Sequence, residues 1–169
     1  MGNVSSSPPA SAAPFRVLFV CIGNVCRSPM GERLLAARLP AERFEVSSAG
    51  VGAMVGYAMS RYAAEELASY GGDPTGFAAR QLTPPMLEQS DLVLTATRAL
   101  RSRVLAEVPG ALRRTFTILE FAALLEQAEG GGQDHGRTPH DHRSSPLAIC
   151  CTAAWMVPAA RACSSTPRR

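Results

Sequence analysis

The apolar run Val17-Leu18-Phe19-Val20 stops at Cys21, five residues separate that cysteine from Arg27, and Ser28-Pro29 then opens a helical pattern. A strand that is apolar at every position must be covered on both faces, as strands of a parallel sheet are. The stretch therefore demands a buried strand, a tight loop and a helix start in immediate succession. A loop curling from a strand end into a helix N-terminus points several backbone N–H groups into one concavity, which favours an anion. Ile22, Gly23, Asn24, Val25, Cys26 and Arg27 would supply that oxyanion-binding loop. The planar fork of Arg27 grips two oxygens of a tetrahedral oxyanion at once. Gly23 lets the backbone bend, and Asn24 tolerates a left-handed conformation while holding the loop with its side chain. Cys21 would lie at the floor of this positive bowl, in a field that favours the nucleophilic thiolate. Ser28 is expected to cap the helix, with Pro29 in its first turn, and to bring its hydroxyl near the Cys21 sulfur.

The rest of the chain alternates. Residues 30–39 predict a helix with Met30, Leu34 and Leu35 on one face, closed by Pro40. Residues 43–48 predict a second strand, 49–52 a loop and 59–70 a helix stopped by Gly71-Gly72. Asp73-Pro74-Thr75-Gly76 is a turn, and a short helix follows Thr83. Residues 91–95 predict a third strand, 98–107 a helix, 115–119 a short fourth strand, and a last helix runs to about residue 129. The order β-α-β-α-α-β-α-β-α implies an α/β fold: a four-stranded parallel sheet with helices on both faces and right-handed crossovers. Ligands of such sheets bind at strand carboxyl ends, where the loop after the first strand lies.

A chain of 169 residues is expected to form one domain. Residues 1–14, rich in Ser, Pro and Ala, are expected to be a disordered tail; residues 15–129 carry the α/β pattern; residues 130–169 lose it and are expected to be a poorly ordered tail. All 17 basic residues are arginines, so the lysine of a Walker-type loop is absent. Twelve arginines balance twelve acidic residues through residue 129, and the net +3 arises beyond it, so no basic face points to nucleic acid. No apolar run reaches membrane-spanning length. Five cysteines without a secretory signal argue against a disulfide scaffold and for a cytoplasmic protein whose Cys21 stays reduced.

The string Val-Cys-Ile-Gly-Asn-Val-Cys-Arg-Ser-Pro after an apolar strand resembles the active-site loop of the bacterial type of low-molecular-weight protein tyrosine phosphatases. Val46-Ser47-Ser48-Ala49-Gly50, Arg80-Gln81-Leu82 and Asp91-Leu92-Val93-Leu94-Thr95 are also similar to segments of that family. The resemblance implies that Cys21 attacks phosphorus to form a cysteinyl-phosphate. It implies that Arg27 and the loop amides hold the equatorial oxygens, and that water then hydrolyses the intermediate with no cofactor and no metal. It implies that Ser28 assists the sulfur as leaving group, that Ser48 supports Asn24, and that Cys26 protects Cys21 by a reversible disulfide. Ile22, Val25 and Met54 would wall a cleft for an aromatic ring. The implied partner is a tyrosine-phosphorylated protein, such as a bacterial tyrosine kinase, and the implied state is a monomer.

One departure stands out. The family's general acid is an Asp-Pro far down the chain, whereas the one Asp-Pro here, Asp73-Pro74, lies between the second and third strands. Beyond residue 129 the acids are Asp134 and Asp141, neither before Pro, with Asp141 the better substitute. His135, His140, His142, Cys150 and Cys151 match no standard zinc spacing. Two other functions compete: a thiol-dependent arsenate reductase, disfavoured because no cysteine lies between Cys26 and Cys150, and a phosphotyrosine-binding relative without turnover.

Overall fold

The computed structural model describes residues 13–130. The expectations for residues 1–12 and 131–169, including both tails, Asp134, Asp141 and the His/Cys group, lie outside the described residues.

Four strands form one parallel sheet in the order β2-β1-β3-β4, with β1 at Phe15–Cys21, β2 at Phe44–Gly50, β3 at Leu92–Thr95 and β4 at Thr115–Thr117. The helices are α1 (Arg27–Ala36), α2 (Arg61–Ser69), α3 (Pro84–Gln89), α4 (Arg98–Glu107) and α5 (Ile118–Gly130), with a 3₁₀ turn at Pro109–Arg114. β1 has β2 on one side and β3 on the other, so the crossovers leaving these strands diverge at the carboxyl end of β1. That divergence opens a crevice, and Cys21 is the last residue of β1.

The uninterrupted apolar character of β1 has its reason in the two layers that cover it. Leu18 and Val20 pack with Leu87 of α3 and Leu100 and Val104 of α4. Val17 and Phe19 point the other way, onto Leu35 of α1 and Ile118 and Phe121 of α5. Each fully buried side chain of this kind contributes roughly 1.5–3 kcal/mol. A third cluster joins Met30 and Leu34 of α1 to Ala63 and Leu67 of α2, with Cys26, Met59 and Phe77. Gly31 sets how close α1 lies to the sheet: a Cβ there would stand 2.6 Å from the ring of Phe19.

The predicted elements appear in the predicted order, with shifted ends. α1 begins at Arg27 rather than residue 30, because its first turn, Arg27-Ser28-Pro29, is polar at the loop and carries no apolar period. β2 continues through Ala49 and Gly50, expected as loop, because they pair in register with Val20 and Cys21. Asp91 stays outside β3, and its carboxylate accepts the Arg16 N–H at 2.8 Å. β4 stops at Thr117, where Thr117 and Glu120 form a reciprocal cap: Thr117 N donates to Glu120 Oε2 at 3.0 Å and Glu120 N to Thr117 Oγ1 at 3.1 Å.

Candidate active site

The loop between Cys21 and Arg27 is shaped by where its carbonyls go. Cys21 O accepts from Val51 N at 3.0 Å, Ile22 O from Gly52 N at 3.0 Å, Gly23 O from Met54 N at 2.9 Å and Val25 O from Ser60 N at 2.8 Å. Cys26 O accepts from Met30 N, the first bond of α1, at 3.2 Å. In a trans peptide the N–H points opposite to the carbonyl it is bonded with. Turning these carbonyls outward onto residues 51–60 therefore turns the N–H groups of Ile22, Gly23, Asn24 and Cys26 inward. The Arg27 N–H joins them at the start of α1, with the positive end of its dipole. The inward face is an anion bowl built from backbone.

Asn24 makes the curl possible. It is the one non-glycine among the described residues with a left-handed backbone, φ 55°, and it is fully buried. Its Oδ1 accepts the Arg80 N–H at 2.8 Å, which fixes the amide orientation, because a backbone N–H can only donate. Its Nδ2 donates to Ser28 Oγ at 2.9 Å and to Ser48 Oγ at 2.8 Å. The support expected from Ser48 is present.

Cys21 is buried and a free thiol. Its sulfur accepts the Asn24 N–H at 3.2 Å and stands 2.9 Å from Ser28 Oγ. Ser28 does not cap α1 as expected. It sits inside the first turn, Cys26 occupies the N-cap position without a side-chain cap, and the Ser28 hydroxyl serves the sulfur. Asn24 Nδ2 already donates to Ser28 Oγ, so the hydroxyl hydrogen is available to Cys21.

Arg27 is the first residue of α1 and half-buried. Among the described residues no carboxylate forms an ion pair with it. Ile22 and Met54 are exposed at the rim, and Val25 is half-buried against α2. The Cys26 sulfur lies 3.0 Å from Ser60 Oγ, in a cluster with Met59, Ala63 and Leu67. Asp73 is not at the bowl. Its carboxylate accepts from Thr75 N at 2.8 Å and Thr75 Oγ1 at 2.7 Å in its own turn. Those hydrogen bonds, the backbone one first, hold its pKa below the ordinary carboxylate value.

Three supports were not singled out in the sequence. Gly50 touches the loop so closely that a Cβ would meet Ile22 O at 2.3 Å and Asn24 N at 3.0 Å. Arg80 donates from Nε to Ser48 O at 2.7 Å and from its backbone to Asn24. Glu32 accepts the hydroxyl of Ser48. No short-range pattern marks them, since each acts on a residue distant in the chain.

A parallel α/β sheet with a free thiol at the floor of a backbone anion bowl, at the strand-order switch point, defines a thiol-based enzyme for tetrahedral oxyanions. Residues 16–135 match the family of low molecular weight phosphotyrosine protein phosphatases, and the chain belongs to that family. It is 40% identical over 113 residues to the low molecular weight protein-tyrosine-phosphatase Etp of Escherichia coli K12, covering 67% of this chain and 73% of that one. The crystal structure of the Erwinia amylovora tyrosine phosphatase amsI superposes with a TM-score of 0.59 at 30% identity, covering 89% of this chain and 91% of that one. The YwlE arginine phosphatase of Geobacillus stearothermophilus superposes with a TM-score of 0.60 at 28% identity, covering 92% and 100%.

Proposed function

We propose that this chain hydrolyses phosphotyrosine in proteins through a cysteinyl-phosphate on Cys21. The observation that carries the reading is a free thiol ringed by inward-turned peptide N–H groups and touched by Ser28 Oγ. In the first step the Cys21 sulfur bonds to phosphorus and the tyrosyl oxygen leaves, taking up a proton. In the second, water attacks phosphorus, gives up its proton, and the sulfur leaves with a hydrogen bond from Ser28. Arg27 and the amides of residues 22–27 hold the equatorial oxygens throughout. Cys21→Ser is expected to abolish release of nitrophenolate from p-nitrophenyl phosphate in a folded protein; retained release removes the covalent step. Arg27→Lys is expected to cost about 10²–10³-fold in kcat, because an ammonium lacks the two-pronged contact.

The rim favours an aromatic phosphoester over the guanidinium phosphate implied by the name of the Geobacillus relative. Among the described residues, Ile22, Met54, Val55 and Tyr57 present exposed apolar surface beside the loop. Comparing turnover of free phosphotyrosine and phosphoarginine decides between them, and preference for phosphoarginine overturns this reading. The substrate we infer is a tyrosine-phosphorylated protein such as a bacterial tyrosine kinase, met as a monomer in a cytoplasmic, reducing compartment. Among the described residues no helix is long and apolar enough to cross a membrane.

For Cys26 the proposed role is redox protection. After full reduction and mild peroxide, its sulfur would leave Ser60 and close on Cys21. Peptide mass spectrometry showing no Cys21–Cys26 link under those conditions removes that role.

A further inference from the structure

We propose that Glu32, on α1 and outside the loop, is a positioning residue that fixes the Ser48 hydroxyl as the acceptor for Asn24 and so steadies the hydrogen bonds that run from Ser48 to the Cys21 sulfur. The proposal deepens the phosphatase reading and rests on it for its kinetic arm alone.

The chain of donors admits one direction. Glu32 has an acceptor-only carboxylate, its side chain is 15% exposed, and it takes the hydroxyl hydrogen of Ser48. The oxygen of Ser48 is thereby left to accept, and it receives one hydrogen of Asn24 Nδ2 at 2.8 Å. The second hydrogen of that amide goes to Ser28 Oγ at 2.9 Å. Ser28, having accepted, directs its own hydrogen to Cys21 Sγ at 2.9 Å; the competing acceptor, Ala49 O, is at 3.5 Å. Arg80 closes the arrangement from the other side, with its N–H on Asn24 Oδ1 and its Nε on Ser48 O.

Without an acceptor at Glu32, the Ser48 hydroxyl is a buried donor with no outlet. Its nearest alternative is to turn toward Asn24, where donor would face donor. Asn24 would then lose its Ser48 bond and be held by the Arg80 N–H and Ser28 alone, so the amide that orients the Ser28 hydroxyl toward the sulfur would be less firmly placed. What Glu32 supplies is an acceptor at a fixed point. Its charge is not the essential property, so glutamine, which keeps a carbonyl oxygen there, should serve.

The test reads the thiol directly. Iodoacetamide alkylation of Cys21, followed by mass spectrometry of its peptide at mildly acid pH, reports the sulfur whether or not the chain is a phosphatase. In the full chain, Glu32→Ala is expected to slow Cys21 alkylation about threefold to tenfold, the scale of one ordinary intramolecular hydrogen bond. The same variant should lower kcat for p-nitrophenyl phosphate with little change in KM. Glu32→Gln should restore both to near the parent values. In a Ser48→Ala background, Glu32→Ala should add nothing, because the two residues act as one unit. Unchanged alkylation in Glu32→Ala, additive effects in the double variant, or Glu32→Gln as slow as Glu32→Ala would each overturn the proposal. If Glu32→Ala fails to fold, Glu32→Gln and the Ser48→Ala pair still decide it. Absent hydrolysis with the alkylation pattern intact would overturn the phosphatase reading and leave this one standing.

Discussion

Asn24 Nδ2 donates to Ser48 Oγ at 2.8 Å, a bond that ties the loop after β1 to the interior of β2. Two residues 24 positions apart in the chain thereby share one buried network with Ser28 and Glu32. The amide is doubly employed. It holds a left-handed backbone that turns neighbouring N–H groups inward, and it commits the Ser28 hydroxyl to the Cys21 sulfur.

Substitutions at Asn24 should separate these two tasks. Asn24→Gly keeps access to the left-handed region but loses the side-chain bonds, whereas Asn24→Ala loses both. Removing the buried amide strands its partners, at a cost of about 1–3 kcal/mol for each one left unsatisfied. The non-glycine backbone penalty adds about 1–2 kcal/mol in the alanine variant. Chemical unfolding should therefore rank parent above Asn24→Gly above Asn24→Ala, with kcat following the same order. An alanine variant as stable as the parent would show that the loop does not need Asn24.

Gly50→Ala should damage the site more than its size implies. The added methyl would meet backbone atoms of Ile22 and Asn24, which cannot rotate away as a side chain can. Overpacking of this kind costs about 1–3 kcal/mol. The displaced atoms belong to the anion bowl, so phosphate-analogue binding should fall further than stability. Unaltered inhibition by inorganic phosphate in this variant would contradict the contact.

The leaving group should decide how fast the protein turns over. Tyrosine leaves as a phenolate whose acid has a pKa of about 10, and a positioned general acid contributes about 10²–10⁴-fold. Asp73, whose carboxyl is held in its own turn by Thr75, is no such acid. We expect p-nitrophenyl phosphate to be hydrolysed readily, phosphotyrosine slowly, and rate to fall steeply as leaving-group pKa rises. Equal rates on both esters, lost on replacing Asp141, would establish a working acid in the segment after α5.

Acid should loosen α5 first at its cap. The Thr117 N–H bonded to Glu120 is the largest cause holding that carboxyl below its ordinary value of 4.5, opposed by burial and helped by the Thr117 hydroxyl, Arg101 and Arg98. A carboxylate with a depressed folded value stabilises above its unfolded value and loses that contribution as pH falls through the folded one. The parent should therefore lose this contribution in the acid range below 4.5, and Glu120→Gln should show a flatter pH dependence of unfolding there. Thr117→Ala, which removes the reciprocal half of the cap, should cost about 1 kcal/mol at neutral pH. Identical acid unfolding curves for parent and Glu120→Gln would show that the cap carries no linkage.

The sequence alone determined the strand, loop and helix around Cys21, the element order and the parallel class. Those depend on local signals: an unbroken apolar run, glycine and proline stops, and apolar residues recurring at helical spacing. It also placed Asn24 in the loop and, through the family resemblance, paired it with Ser48. It misplaced element ends wherever a polar group serves a distant partner. Ser28, expected both to cap α1 and to reach the Cys21 sulfur, does only the second; Ala49-Gly50 looked like loop and pairs with β1; Thr117 ended a strand because Glu120 caps it. Only the tertiary structure decided that Glu32 and Arg80 stand behind the loop and that Cys26 faces Ser60. Such partnerships form between chain segments that meet when β2 docks beside β1 and α1 packs across them, and no periodicity within either segment encodes which side chains will then be in reach.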